Sequence, residues 1–175
     1  MTTSNYNWLN QEHSPRILVA AWSLIGISEY IGKENNPTII QWAKDTQLNA
    51  YYTNDDIPWC GLFIAYCCHI KGLQIVKQPL WALSWANWGN PTTIPMLGDI
   101  LVFKRKSGGH VGIYVGEDSS CYHVLGGNQG DKVSIVRILK GRLHAARRTA
   151  WAIAQPYNVR RVYLSAVGAI SINEN

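Results

Sequence analysis

Cysteine is sparse and poorly spaced for metal: Cys60, Cys67, Cys68 and Cys121 are the four present, with no CxxC pair among them. That excludes the paired ligand sets of structural zinc sites, and a chain of 175 residues with four thiols is not a small disulfide scaffold. No apolar run reaches the roughly 18 residues that cross a bilayer, so membrane insertion is not expected. The first 11 residues lack the basic start and apolar stretch of an export signal, which predicts a protein made soluble in the cytoplasm. Phenylalanine is rare too, two against eight Trp and nine Tyr, so most aromatic area carries a polar edge suited to cores, grooves and peptide or sugar contacts. Charged residues make up only 15% and apolar ones 47%, which excludes a disordered chain. Acidic residues are the scarcer sign, leaving a net charge of +5. A basic surface draws anionic polymers, but the positive residues lie in short clusters at 104–106, 147–148 and 160–161. No nucleic-acid motif accompanies them, so nucleic acid is not an expected partner.

The pattern along the chain divides into a helical first half and a strand-rich second half. Residues 15–30 read as a helix, with Pro15 at its start and Ile17, Leu18, Ala21, Leu24 and Ile25 at helical spacing. A second helix is predicted over 38–46 and an apolar one over 59–71, ended by Gly72. A short helix is expected over 82–88. From Gly98 the period shortens to that of strands, predicted at 100–104, 110–115, 121–125 and 133–138, with a further one at 159–169. Residues 142–154 fit neither pattern. Helices followed by consecutive short strands imply an α+β fold with an antiparallel sheet. The expected organisation is an N-terminal segment 1–14, one domain 15–148, and an extension 149–175 packed on it.

Cys60 falls in the first turn of the predicted helix over 59–71. Free amides and a positive partial charge at a helix start favour a thiolate, the nucleophilic form, and the Cys60 amide can serve a developing oxyanion. The alternative is a small buried residue at a helix start, which is how Cys67, Cys68 and Cys121 read. A thiol nucleophile needs a base. His110 follows Ser107-Gly108-Gly109 and opens a strand in which His110, Gly112 and Tyr114 share one face and Val111, Ile113 and Val115 the other. Small neighbours such as Gly109 leave room for substrate backbone. His69 lies nine residues beyond Cys60 on the same helix, out of hydrogen-bonding reach. A local Cys121–His123 pair is the rival, without a helix end to activate its thiol. For a third group that orients the imidazole, Asn128 is the candidate, within Gly126-Gly127-Asn128-Gln129-Gly130. Gln129 can serve instead, or contact substrate. Asp56 reads as a helix cap or as a ligand for a substrate amine. Trp81, Trp85 and Trp88 share one helical face, as core packing or, for Trp85 and Trp88, as groove lining.

Taken together, Pro58-Trp59-Cys60-Gly61-Leu62-Phe63, Ser84-Trp85-Ala86-Asn87-Trp88-Gly89, Pro95-Met96-Leu97-Gly98-Asp99-Ile100, Gly109-His110-Val111-Gly112-Ile113-Tyr114 and Leu125-Gly126-Gly127-Asn128-Gln129 resemble the NlpC-type and CHAP-like cysteine peptidases, chiefly a phage-associated subgroup. The resemblance spans roughly residues 15–148. It implies a papain-like fold and hydrolysis of an amide bond in peptidoglycan, with Cys60 as nucleophile, His110 as base, Asn128 in the third position and no metal or organic cofactor. Asp56, Trp59, Trp85, Gly109 and Gln129 are the expected substrate contacts. The substrate is the stem peptide or its link to muramic acid. Many relatives carry Asp-Cys-Ser-Gly where this chain has Trp59-Cys60-Gly61-Leu62, which loosens any transfer of bond preference. A lysin or an injected antibacterial effector fits the missing export signal, delivered to the periplasm or wall by another route. An effector implies a cognate immunity protein. A protein deamidase or acyltransferase and a non-catalytic wall-binding module are the competing expectations.

Overall fold

A computed structural model describes residues 3–32, 34–151, 154–172 and 174. Three α-helices come first: α1 (Arg16–Trp22), α2 (Pro37–Asp45) and α3 (Cys60–Ile70). Six strands follow, β1 (Asn90–Thr92), β2 (Ile100–Lys104), β3 (Gly109–Glu117), β4 (Cys121–Gly126), β5 (Ser134–Leu139) and β6 (Leu143–Arg148). Short 3-10 turns cover Thr3–Asn10, Ala82–Asn87 and Lys140–Arg142. The strands form one antiparallel sheet in the order β1-β6-β2-β3-β4-β5, so the fold is α+β. No helix among the described residues is long and apolar enough to cross a membrane.

The predicted helix over 15–30 stops at Trp22. Propensity yields to tertiary pairing there: Gly26 N–H donates to Val133 carbonyl and Val133 N–H to Ile27 carbonyl, drawing the chain alongside the segment before β5. The second helix starts on Asn36, whose side chain accepts from Thr38 N–H, with Pro37 in the first turn. Helix α3 is apolar all round, as a helix between layers must be: Leu62, Phe63, Ile64, Ala65, Cys67 and Cys68 have no exposed surface. Helices α1 and α2 pack on it, and its other side lies on β3. Truncating Phe63 here would cost about 3–5 kcal/mol.

Strand alternation splits the sheet into two apolar clusters. Val102, Val111, Ile113 and Val115 join the helices, while Leu101, Phe103, Tyr114, Tyr122, Val124 and Ile138 pack on the other face with Ala146 of β6. That second cluster needs a curled sheet. Only Lys140–Arg142 link β5 to β6, a reach of at most about 14 Å. In a flat sheet those two strands would stand about 19 Å apart. The curl brings the start of β6 and the link beside the β2–β3 turn.

Two expectations for the second half change. Residues 142–154 contribute β6, whose apolar pattern is masked because Arg147 and Arg148 turn to Trp88 carbonyl and Asp99 instead of solvent. Residues 159–169 form no strand. They meet the sheet through isolated bridges, Tyr163 to Glu117 and, just beyond, Ile170 to Arg137.

Candidate active site

Cys60 is the first residue of α3, and the preceding Trp59 supplies no side-chain cap. The first-turn amides therefore remain available. Those of Cys60 and Gly61 act on the sulfur, together with the Val111 amide from the neighbouring strand. The thiol thus sits against the residue that follows His110. Cys60 is 5% exposed, and burial raises its pKa against the lowering effects of these amides and of Arg105, so the resting thiol is protonated. The α3 start packs closely because a glycine follows β4: a Cβ on Gly127 would stand 2.6 Å from both the Trp59 ring and Phe63 Cβ.

His110 is fully buried. Its Nε2 lies 2.9 Å from Gln129 Oε1. The Gln129 amide nitrogen donates to the carbonyls of Val124 and Ser134, which fixes the oxygen toward the ring. An amide oxygen only accepts, so Nε2 carries the hydrogen and Nδ1 keeps its lone pair. Nδ1 has no hydrogen-bond partner among the described residues. Burial holds the His110 pKa down at about 4, opposed by the charge of Glu174 and reinforced by Arg105. The result is a protonated thiol against the Val111 amide and, one residue earlier on β3, a neutral imidazole whose Nδ1 has no hydrogen-bond partner among the described residues.

Asn128 does not hold the ring. Its backbone adopts φ 54°, a left-handed conformation that asparagine tolerates, and this turn carries Gln129 back over β4. Trp59 and Trp85 are both fully buried in the core cluster. Trp59 packs on Trp42 and its indole donates to Glu29, and the Trp85 indole donates to Pro79 carbonyl at 2.9 Å. Trp88 is 5% exposed and Trp81 69%, so the three tryptophans share no single environment. Gly109 is small for an internal reason, since a Cβ there would meet Leu83 at 2.6 Å. Asp56 is exposed and does not cap α3, while its neighbour Asp55 accepts from Asn36 N–H at 2.7 Å. Burial raises the Glu29 pKa, opposed by the bond from the Trp59 indole and reinforced by the charges of Asp131, Asp55 and Asp56.

The rival pair is ruled out by its bonding. His123 Nδ1 meets Tyr6 Oη at 2.7 Å and Nε2 meets Asp118 at 2.9 Å, so neither nitrogen is free for Cys121. Sequence reasoning missed three further groups at the His110 end: Arg105 and Arg142, and Glu174, whose side chain pairs with both. Among the described residues no cluster of three or more His, Cys, Asp or Glu is placed to hold a metal. No protein-family model matches the chain, and no curated protein matches it.

Proposed function

We propose that the chain is a papain-like cysteine hydrolase that cleaves an amide bond of cell-wall peptide. Cys60 is the nucleophile, His110 the base and Gln129 the group that orients the base. The observation that supports this reading is the polarity of the His110 ring: Gln129 accepts the Nε2 hydrogen and leaves Nδ1 without a partner among the described residues, while the helix-start thiol lies against the amide of the next residue, Val111. Nδ1 accepts the thiol proton as sulfur bonds to the carbonyl carbon. The imidazolium then returns that proton to the leaving amine, and water, deprotonated by the same nitrogen, releases the acyl group. The Cys60 amide is the donor placed for the oxyanion. In the resting state the imidazole and thiol are not hydrogen-bonded, and such contacts tighten when substrate binds.

The choice of substrate rests on the motif resemblance and on charge. Glu29, bonded to the Trp59 indole, and the exposed Asp56 supply negative charge on the Trp59 side, and guanidinium groups of Arg105 and Arg142 act on His110. A peptide bearing both amines and carboxylates, as a wall stem peptide does, matches that division. Purified sacculi incubated with the chain, followed by mass spectrometry of the released muropeptides, test the reading. New amine and carboxyl ends at one bond are expected, and Cys60→Ala and His110→Ala should each abolish them. Turnover that survives Cys60→Ala, or amide hydrolysis confined to protein glutamines, would refute it.

A further inference from the structure

Glu174 is 1% exposed, a carboxylate taken almost wholly out of water. Arg142 grips it in a fork, Nη1 to Oε1 at 2.8 Å and Nη2 to Oε2 at 2.9 Å. Arg105 Nε donates to Oε2 at 3.0 Å and Ser171 Oγ to Oε1 at 3.1 Å. The amide of Gly130, next to Gln129, donates to the Glu174 main-chain carbonyl at 3.3 Å. Two parallel N–H···O bonds from one guanidinium are the geometry by which proteins read carboxylates. The location is equally informative. Arg105 lies just beyond β2 and Arg142 just before β6, and Phe103 near the end of β2 pairs with both His110 and Leu143, so both arginines come from the same end of the sheet as His110. Arg105 acts electrostatically on Cys60 and His110, and Glu174 acts on His110. A buried ion cluster is weak as a stabilising device compared with apolar packing. The arginine side chains are 13% and 20% exposed, so solvent already reaches them around the carboxylate.

We propose that Arg105 and Arg142 form a carboxylate-binding subsite of the Cys60–His110 centre, which Glu174 fills in cis and from which an acidic peptide substrate displaces it. The proposal rests on the hydrolase reading, and it specifies which kind of residue flanks the bond cut. An incoming carboxylate replaces like with like, so the charge that supports His110 persists after exchange. Until that exchange, Glu174 keeps both guanidinium groups engaged.

The test uses N-acetylglutamate α-amide, with one carboxylate, and N-acetylglutamine amide, with none. In the Cys60→Ala chain, calorimetric titration should show Glu174→Gln raising affinity for the acidic probe about tenfold, by removing its internal competitor. The neutral probe should gain nothing, and adding Arg142→Gln should cancel the gain. In the chain with Cys60 intact, Glu174→Gln should speed iodoacetamide alkylation of Cys60 about tenfold. On the unsubstituted chain, saturating acidic probe should alter that alkylation rate while the neutral probe does not, a measurement that needs no variant to fold. Equal affinity for the two probes, or alkylation indifferent to both Glu174→Gln and the acidic probe, overturns the subsite. Neither readout needs hydrolysis. Inert sacculi with these responses intact would sink the hydrolase reading alone, and hydrolysis without probe discrimination would sink the subsite alone.

Discussion

His110 should make the protein measurably acid-sensitive, through a window set by its burial. Its pKa falls from the ordinary 6.5 to about 4 because the ring is sealed from water. Between those values the unfolded chain binds a proton that the folded chain refuses. The contribution of the neutral, buried ring is complete above pH 6.5 and drains away as pH falls toward 4, below which both states are protonated. The difference corresponds to about 3 kcal/mol. Urea unfolding of the wild type and of His110→Asn at pH 7.5, 6.5, 5.5 and 4.5 isolates this contribution. His123, which burial also holds below its usual range, is present in both chains and cancels. The stability difference, wild type minus variant, should shrink by about 2.5 kcal/mol from pH 7.5 to pH 4.5. A difference constant with pH would refute the burial argument and, with it, the claim that the resting imidazole is neutral. The acid limb of hydrolysis should correspondingly fall below pH 6.5.

Gln129→Ala should lower kcat about 100-fold by freeing the ring, whereas Gln129→Glu keeps an acceptor and shifts the acid limb of the pH profile upward, since a carboxylate favours the imidazolium. Steady-state rates across pH separate the two. Gly127→Ala should cost about 1–3 kcal/mol, because its Cβ cannot coexist with Trp59 and Phe63, and thermal melts should register a drop of roughly 3–10 °C. Trp85→Ala should destabilise by about 3–5 kcal/mol while Trp81→Ala stays within about 0.5 kcal/mol, read from urea midpoints.

The parts legible in the sequence were those set by local periodicity. Helix α3 and its opening cysteine follow from an apolar run behind Pro58, and β2 to β5 from short β-rich runs between glycines. The alternation that separates Val111 and Ile113 from Tyr114 also holds, with the first two in the helix-side cluster and Tyr114 in the other. The partner of His110 was harder to read. Asn128 and Gln129 are adjacent amides in a glycine-rich turn, and only the left-handed φ at Asn128 decides which one returns to the ring. Strand β6 carries little apolar signal because its arginines are used internally. The Arg105–Glu174 contact joins positions 69 residues apart, which no local pattern encodes.

Strand β5 is the outer rim of the sheet. Residues 168–171 lie along it: Ser171 N–H donates to Arg137 carbonyl, and the Arg137 guanidinium donates to Gly168 carbonyl at 2.6 Å. Backbone groups that would otherwise template a strand from another molecule are thereby engaged within the chain. Shortening the protein before Gly168 should therefore leave a sticky ribbon edge and make the protein more prone to oligomers and aggregates.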